Sequence, residues 1–168
     1  MTAPRFDCVL FDWGGTLMEE EGGPPDVPLA LWREVRAFDG AHATLAALAP
    51  HVRIGIATNA TVSTRPLVEL ALRRVDLARY ISHVFCFTEI GARKDSARFW
   101  AHVFTALNLA PGRILMIGDT LEQDVVAPRA HGVFSVWFNR ARRSDEAAAG
   151  LPSIASLHEL VPIVFEEA

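Results

Sequence analysis

Asp12, Asp119 and Asp124 are the acids of this chain whose surroundings point to chemistry. Asp12 follows the apolar run Cys8-Val9-Leu10-Phe11 and precedes Gly14-Gly15 in FDWGGTL, so it falls where a buried strand ends and a turn begins. Much further along, Ile114-Leu115-Met116-Ile117 leads into Gly118-Asp119 and then Asp124 in GDTLEQD. In an open parallel α/β sheet, ligands bind at the carboxyl ends of the strands. Two strands that each end in carboxylates therefore suggest one acidic pocket. Carboxylates gathered this way raise one another's pKa unless a cation lies between them. Hard oxygens without Cys or His point to Mg²⁺, which binds through a few carboxylates plus a substrate phosphate.

A second signal is a count. The chain has 16 Lys+Arg, of which 15 are Arg, and the single lysine is Lys94 in GARKDS. Lysine is a compact, flexible point charge, whereas arginine is a broad planar fork. A site beside a carboxylate and a phosphate needs the smaller head. An exposed lysine at a helix start would explain the residue by itself; the two Asp-bearing strands turn the reading toward the site.

The elements that must position these groups follow from pattern. At 168 residues and 51% hydrophobic composition, the chain is long enough to bury a core as one domain. Short, apolar, β-rich runs at 6–11, 53–57, 83–87, 113–117 and 133–137 read as buried parallel strands. Between them the spacing predicts helices over 40–49, capped by Asp39, and over 62–75. A helix over 96–108 is expected after an Asp95 cap, with further helices over 121–130 and 155–161. Strands alternating with helices mean a parallel sheet covered on both faces. Residues 18–38 are irregular: MEEEGGPPDVP is acidic, then rich in Gly and Pro, and a short helix is expected from Pro28.

Composition also sets exclusions. A net charge of −4 implies no broad basic surface, so no nucleic-acid partner is expected. The densest basic run, NRARR around Arg143, reads as a solvated loop. No apolar run approaches the ~18 residues of a membrane span. The apolar stretch near Met1 carries Asp7 and Asp12 and has no basic leader, so a signal peptide is not expected and the cytoplasm is. Cys8 and Cys86 lie in strand-like stretches and are expected as free, hydrophobe-like thiols rather than a disulfide.

At this point the chain resembles the haloacid dehalogenase-like hydrolase superfamily. The family's first motif, D-x-D-G-T-L/V, is matched by FDWGGTL from Asp12, except that Gly14 replaces the second Asp. The second, a Thr or Ser ending the next strand, is matched by Thr58 in IGIATNA, followed by Asn59. The third, a Lys before a helix, is matched by Lys94, with Asp95 where Pro is usual. The fourth, G-D-x-x-x-x-D, is matched in full by Gly118, Asp119 and Asp124. The resemblance implies an α/β, Rossmann-like three-layer sandwich whose five-stranded parallel sheet has the first strand in its centre. It implies a single domain over 1–168, with 18–38 as a short flap or minimal cap in place of the helical cap domain many relatives carry. Such an active site is open unless a second copy of the chain covers it.

The resemblance also implies roles. Asp12 would be the nucleophile of an Mg²⁺-dependent phosphatase, forming an aspartyl-phosphate with a phosphorylated substrate. Asp12, the Gly14 main-chain carbonyl, Asp119 and Asp124 would hold the metal. Lys94 would neutralise charge between the nucleophile and the transferring group, and with Thr58 and Asn59 would bind the phosphoryl oxygens. Each has a plainer alternative: a turn cap for Asp12, a favourable helix-start charge for Asp124, an ordinary strand-end residue for Thr58. Thr16 is expected to stabilise the turn, and Trp13 to pack beneath residues 18–38.

Gly14 is the departure from the family. Relatives use Asp there as general acid for the leaving group and base for water. Its absence leaves three readings: a phosphatase with acid supplied elsewhere, from Glu19, Glu20 or Glu21; a different hydrolase; or a catalytically weak binding or scaffold module. Phosphonoacetaldehyde hydrolases also carry a small residue at this position, but they need a cap lysine that this chain lacks. Haloacid dehalogenases use no metal, which the intact GDTLEQD argues against.

Overall fold

Cys8, Val9, Leu10 and Phe11 are all fully buried, because the strand they form, β1 (Cys8–Phe11), is covered on both faces. The computed structural model describes residues 3–165. The other strands are β2 (Arg53–Thr58), β3 (His83–Cys86), β4 (Ile114–Gly118), β5 (Phe134–Phe138) and β6 (Ser153–Ile154). They form one parallel sheet in the order β3-β2-β1-β4-β5-β6. Phe11 pairs with Ile56 on one side and Ile117 on the other, so β1 is central and its end lies level with those of β2 and β4.

Side chains alternate across a strand, and the two faces make two cores. Val9, Phe11, Ile54, Ile56, Leu115 and Ile117 face one side. They are covered by α1 (Ala41–Leu48), α2 (Arg65–Arg74) and, after the intervening helices, α6 (Leu160–Phe165). Cys8, Leu10, Ala57, Phe85, Ile114 and Met116 face the other. There the short α3 (Phe87–Ile90) contributes Ile90, and α4 (Ala97–Leu107) lays down Phe99, Trp100, Val103 and Leu107. This is the three-layer α/β arrangement expected. A π-helical stretch, Leu121–Val126, runs into α5 (Ala127–Ala130).

The sheet has six strands rather than five. β6 is two residues long, fixed by Trp137 N–H donating to Pro152 O at 2.9 Å and Asn139 N–H to Ile154 O at 2.8 Å. Two residues carry no periodicity. Two caps also differ: α1 starts from Gly40 in the left-handed region, φ 80°, not from an Asp39 side chain. α4 is capped by Ser96, which accepts from Arg98 N–H at 3.2 Å, not by Asp95. Near the C-terminus, the Ser156/Glu159 capping box starts a 3₁₀ turn, Leu157–Glu159, that continues into α6.

Residues 18–38 leave and return at one point. Met18 forms an antiparallel bridge with Ala37, and Phe38 N–H donates to Leu17 O at 2.9 Å. After Pro28 the chain makes only a 3₁₀ turn, Leu29–Leu31. The Arg74 guanidinium on α2 ties the segment down, donating to the carbonyls of Ala30 (2.8 Å), Trp32 (2.6 Å) and Arg33 (3.0 Å). Both cysteines are free and buried. Among the described residues, no helix is long and apolar enough to cross a membrane.

Leu10 is 0% exposed in the core beneath α4. Leu10→Ala should cost ~2–5 kcal/mol through lost transfer energy and a residual cavity. Urea unfolding should show a lower midpoint at unchanged slope.

Candidate active site

The chain runs outward from β1 to β2 and β3, then crosses back to β4 on the other side of β1. That reversal is the topological switch point at which open α/β sheets bind ligands. Asp12 and Asp119 follow directly on β1 and β4, and Thr58 is the last residue of β2. Asp12 N–H donates to Ile117 O at 2.8 Å, so the Asp12 backbone is held by the sheet itself. A cavity of about 590 Å³ opens there. All seven residues singled out from the sequence line it: Asp12, Gly14, Thr58, Asn59, Lys94, Asp119 and Asp124.

Lys94 is the centre of the arrangement. Its ammonium is buried and donates to Asp12 Oδ1 at 2.7 Å, Asp124 Oδ1 at 2.6 Å and the Ala57 carbonyl at 3.0 Å. Lys94 and Asp124 side chains are each 1% exposed. Burial alone would lower the lysine, but the two carboxylates overcome it and hold the ammonium above its usual range. Asp12 is raised by burial, with Lys94 opposing. Asp124 is pushed up to about 6 by burial and then by the charge of Asp12, again against Lys94. Asp119, half-buried, is raised by burial and by Asp124. The lysine is firmly charged, and the acids stay raised because burial and their mutual repulsion outweigh what one ammonium offsets.

That imbalance bears on a metal. Asp12, Asp119 and Asp124 each offer an oxygen, and the three atoms lie within 4.8 Å of one another. Three carboxylates against one ammonium leave two negative charges, the charge of one divalent ion. The donor set is all hard oxygen, which suits Mg²⁺.

Several positioning contacts escaped sequence reading. Trp100 Nε1–H donates to Lys94 O at 2.7 Å, fixing the lysine's backbone from within the core. As a member of the α4 apolar stripe it gave no sign of this. Asn59 acts as a brace: its Oδ1 accepts from Lys94 N–H and its Nδ2–H donates to Gln123 Oε1, both at 2.9 Å. Thr58 Oγ1 accepts from Ala60 N–H at 3.0 Å, which leaves its own proton for an oxygen in the cavity. The π-helical stretch carries Asp124, whose Oδ2 accepts from Thr120 N–H at 3.0 Å. Trp137 Nε1–H donates to Asp119 O at 3.0 Å. Gly15 turns at φ +79°, and a Cβ there would meet Asp119 Oδ2 at 2.6 Å, so the turn needs glycine twice over. Thr16 Oγ1–H reaches Asp12 Oδ2 at a long 3.4 Å, in keeping with a turn role. Trp13 is 3% exposed and packs in the core while also lining the cavity.

Residues of the 18–38 segment wall the other side, among them Pro24, Val27 and Trp32. Of Glu19, Glu20 and Glu21, it is Glu20 that lines the cavity. Its carboxyl is raised by burial and then by the charge of Asp119.

Comparison with known proteins places this geometry. The family model for haloacid dehalogenase-like hydrolases matches residues 24–132, a span that contains Thr58, Lys94, Asp119 and Asp124 and begins after Asp12. The pyrimidine 5'-nucleotidase YjjG of Escherichia coli (strain K12) is 31% identical over 151 residues, covering 88% of this chain and 66% of that protein. The N-acylneuraminate-9-phosphatase of Mus musculus is 26% identical over 166 residues, covering 92% of this chain and 63% of that protein. The chain thus spans about two thirds of the length of these curated relatives. The crystal structure of a HAD phosphatase from Thermococcus onnurineus shares the fold, with a TM-score of 0.75 at 21% identity and 100% of each chain covered.

The lysine cage makes its own prediction. Three acceptors enclose the Lys94 ammonium, and a guanidinium is larger and planar. Lys94→Arg should destabilise the protein by ~1–3 kcal/mol through overpacking. Urea unfolding in the presence of a chelator measures this without metal linkage.

Proposed function

The chain belongs to the haloacid dehalogenase-like hydrolase family, and from that premise we propose that it is an Mg²⁺-dependent phosphoric monoester hydrolase acting through an aspartyl-phosphate on Asp12. The observation that carries the reading is the buried Lys94 ammonium bound to Asp12 and Asp124, with Asp119 within reach of both acids. Two relatives with phosphatase or nucleotidase names support the reaction class.

The residues divide the work. Asp12 attacks phosphorus. Lys94 holds Oδ1, so Oδ2, with only the long Thr16 bond, is the less encumbered oxygen. Lys94 offsets the negative charge that gathers as the phosphoryl group transfers. Thr58 donates its hydroxyl proton to a phosphoryl oxygen, and Asn59 holds the lysine loop against Gln123. Asp12, Asp119, Asp124 and the Gly14 carbonyl would hold Mg²⁺, which supplies Lewis-acid charge to the phosphoryl oxygens. Residues 18–38 serve as a minimal cap, and the substrate is a phosphorylated small molecule that fits beneath them.

Gly14 favours the rival reading of a catalytically weak binding module, because the family's proton carrier is missing there. A panel of phosphomonoesters assayed with and without Mg²⁺ separates the two. Turnover that needs Mg²⁺ and disappears in Asp12→Asn is the expected result; complete inertness across the panel would sink the phosphatase reading. Calorimetry should show Mg²⁺ binding that Asp119→Asn weakens sharply, and equal affinity in that variant would remove Asp119 from the ligand set.

A further inference from the structure

The chain's departure from its family at Gly14 has a spatial counterpart in the short segment that follows. A Cβ built on Gly14 would overlap the Glu20 carboxylate, meeting Oε2 first and then Cδ. The volume in which an aspartate side chain at position 14 would begin is therefore filled by a carboxylate from position 20. The placement has a cause. Gly14 and Met18 form a parallel bridge, Gly15 N–H donates to Met18 O at 2.8 Å, and Met18 is bridged in turn to Ala37. Glu19 N–H donates to Arg36 O at 2.9 Å. The loop is closed on itself, and the next residue turns its side chain back over Gly14 into the cavity that holds Asp12, Lys94 and Asp119.

Resting on the phosphatase reading above, we propose that Glu20 is the catalytic proton carrier of this chain, taking the role that an aspartate at position 14 has in relatives. In the first step an Asp12 oxygen forms a bond to phosphorus and the bond from phosphorus to the leaving oxygen breaks. The electron pair stays on that oxygen, which takes the proton of the Glu20 carboxyl and departs as an alcohol. In the second, a water oxygen bonds to phosphorus and its proton passes to the Glu20 carboxylate. The bond from phosphorus to Asp12 breaks, and Asp12 is regenerated with inorganic phosphate. Glu20 ends the cycle protonated, as it began.

Other features of the molecule point less far. Glu19 lies outside the cavity, and Glu21 faces away toward Arg140, 3.8 Å from its guanidinium. The polar groove beside Thr120, Trp137 and Arg143 adjoins the site and shares Asp119 and Thr120 with it.

The test compares two leaving groups. An alkyl phosphate needs a proton to depart, whereas 4-nitrophenyl phosphate does not. Glu20→Gln keeps the shape and should lose ~10²-fold or more in kcat/KM for the alkyl ester, a quantity that reports the first step alone, within the usual range for a general acid or base, and markedly less with the nitrophenyl ester. Glu19→Gln should leave both rates unchanged. Glu20→Ala clears the volume over Gly14, so adding Gly14→Asp to it should restore part of the lost rate. A purely structural role for Glu20 would not be rescued in that way. Equal losses of kcat/KM on the two esters, or a Glu20→Gln protein within about threefold of wild type on both, would overturn the role of Glu20 while leaving the phosphatase reading intact. The parent reading fails separately. If folded wild-type protein hydrolyses neither ester and acetyl phosphate or beryllofluoride does not modify Asp12, both fall together.

Discussion

The Lys94 ammonium lies among three acceptors drawn from three different segments: Asp12 after β1, Ala57 in β2, and Asp124 in the π-helical stretch after β4. A buried charge is tolerable only when it is paired and its donors are used. The cage meets that condition, since an ammonium has three donors and each finds an oxygen. Such pairs contribute little net stability, because desolvation offsets attraction, but removing one partner is expensive. The constraint therefore acts on position more than on stability. β1, β2 and the turn after β4 must arrive in one register, and the lysine loop must reach in from beside α4. Trp100 on that helix holds the loop through Lys94 O, so the core under the sheet and the chemistry above it share one hydrogen bond.

The same cage explains why the site demands something more. Burial first and neighbouring carboxylates second raise Asp12, Asp119 and Asp124, and the one lysine opposes this without cancelling it. A divalent ion would relieve that strain.

Much of this was legible in the sequence because it rests on strand ends. An apolar run followed by Asp and Gly marks a carboxylate delivered at the edge of a parallel sheet, and FDWGG and ILMIGD both say so. Lys94 was visible through its solitude among arginines. What stayed hidden is what depends on tertiary approach rather than local pattern. Asn59 and Gln123 are far apart in the chain, and nothing near either foretells their bond. Trp100 reads as a core residue because it is one, and its indole N–H adds a second duty that hydrophobic spacing cannot report. β6 is too short to show a period. The misplaced caps at Asp39 and Asp95 each missed by one residue, because a glycine in the left-handed region and a serine were equally able to start those helices.

Gly14 shows how a motif can be broken in sequence and kept in space. Judged along the chain, the position has lost its carboxylate. Judged in three dimensions, the loss is what lets Glu20 enter, since any side chain at 14 would contest the same volume. The two residues are therefore one feature: a side chain at 14 would displace the Glu20 carboxylate from the place it now occupies. The segment that carries Glu20 is itself held by Arg74, whose guanidinium binds three of its carbonyls from the neighbouring helix. In a family where a separate cap often closes the site, about twenty residues here supply both a wall and a carboxylate. A short, tied loop suits the second task better than a hinged domain would, because a proton carrier must stay within hydrogen-bond reach of the reacting oxygen, and each bond that pins the loop removes freedom that would otherwise be lost on binding.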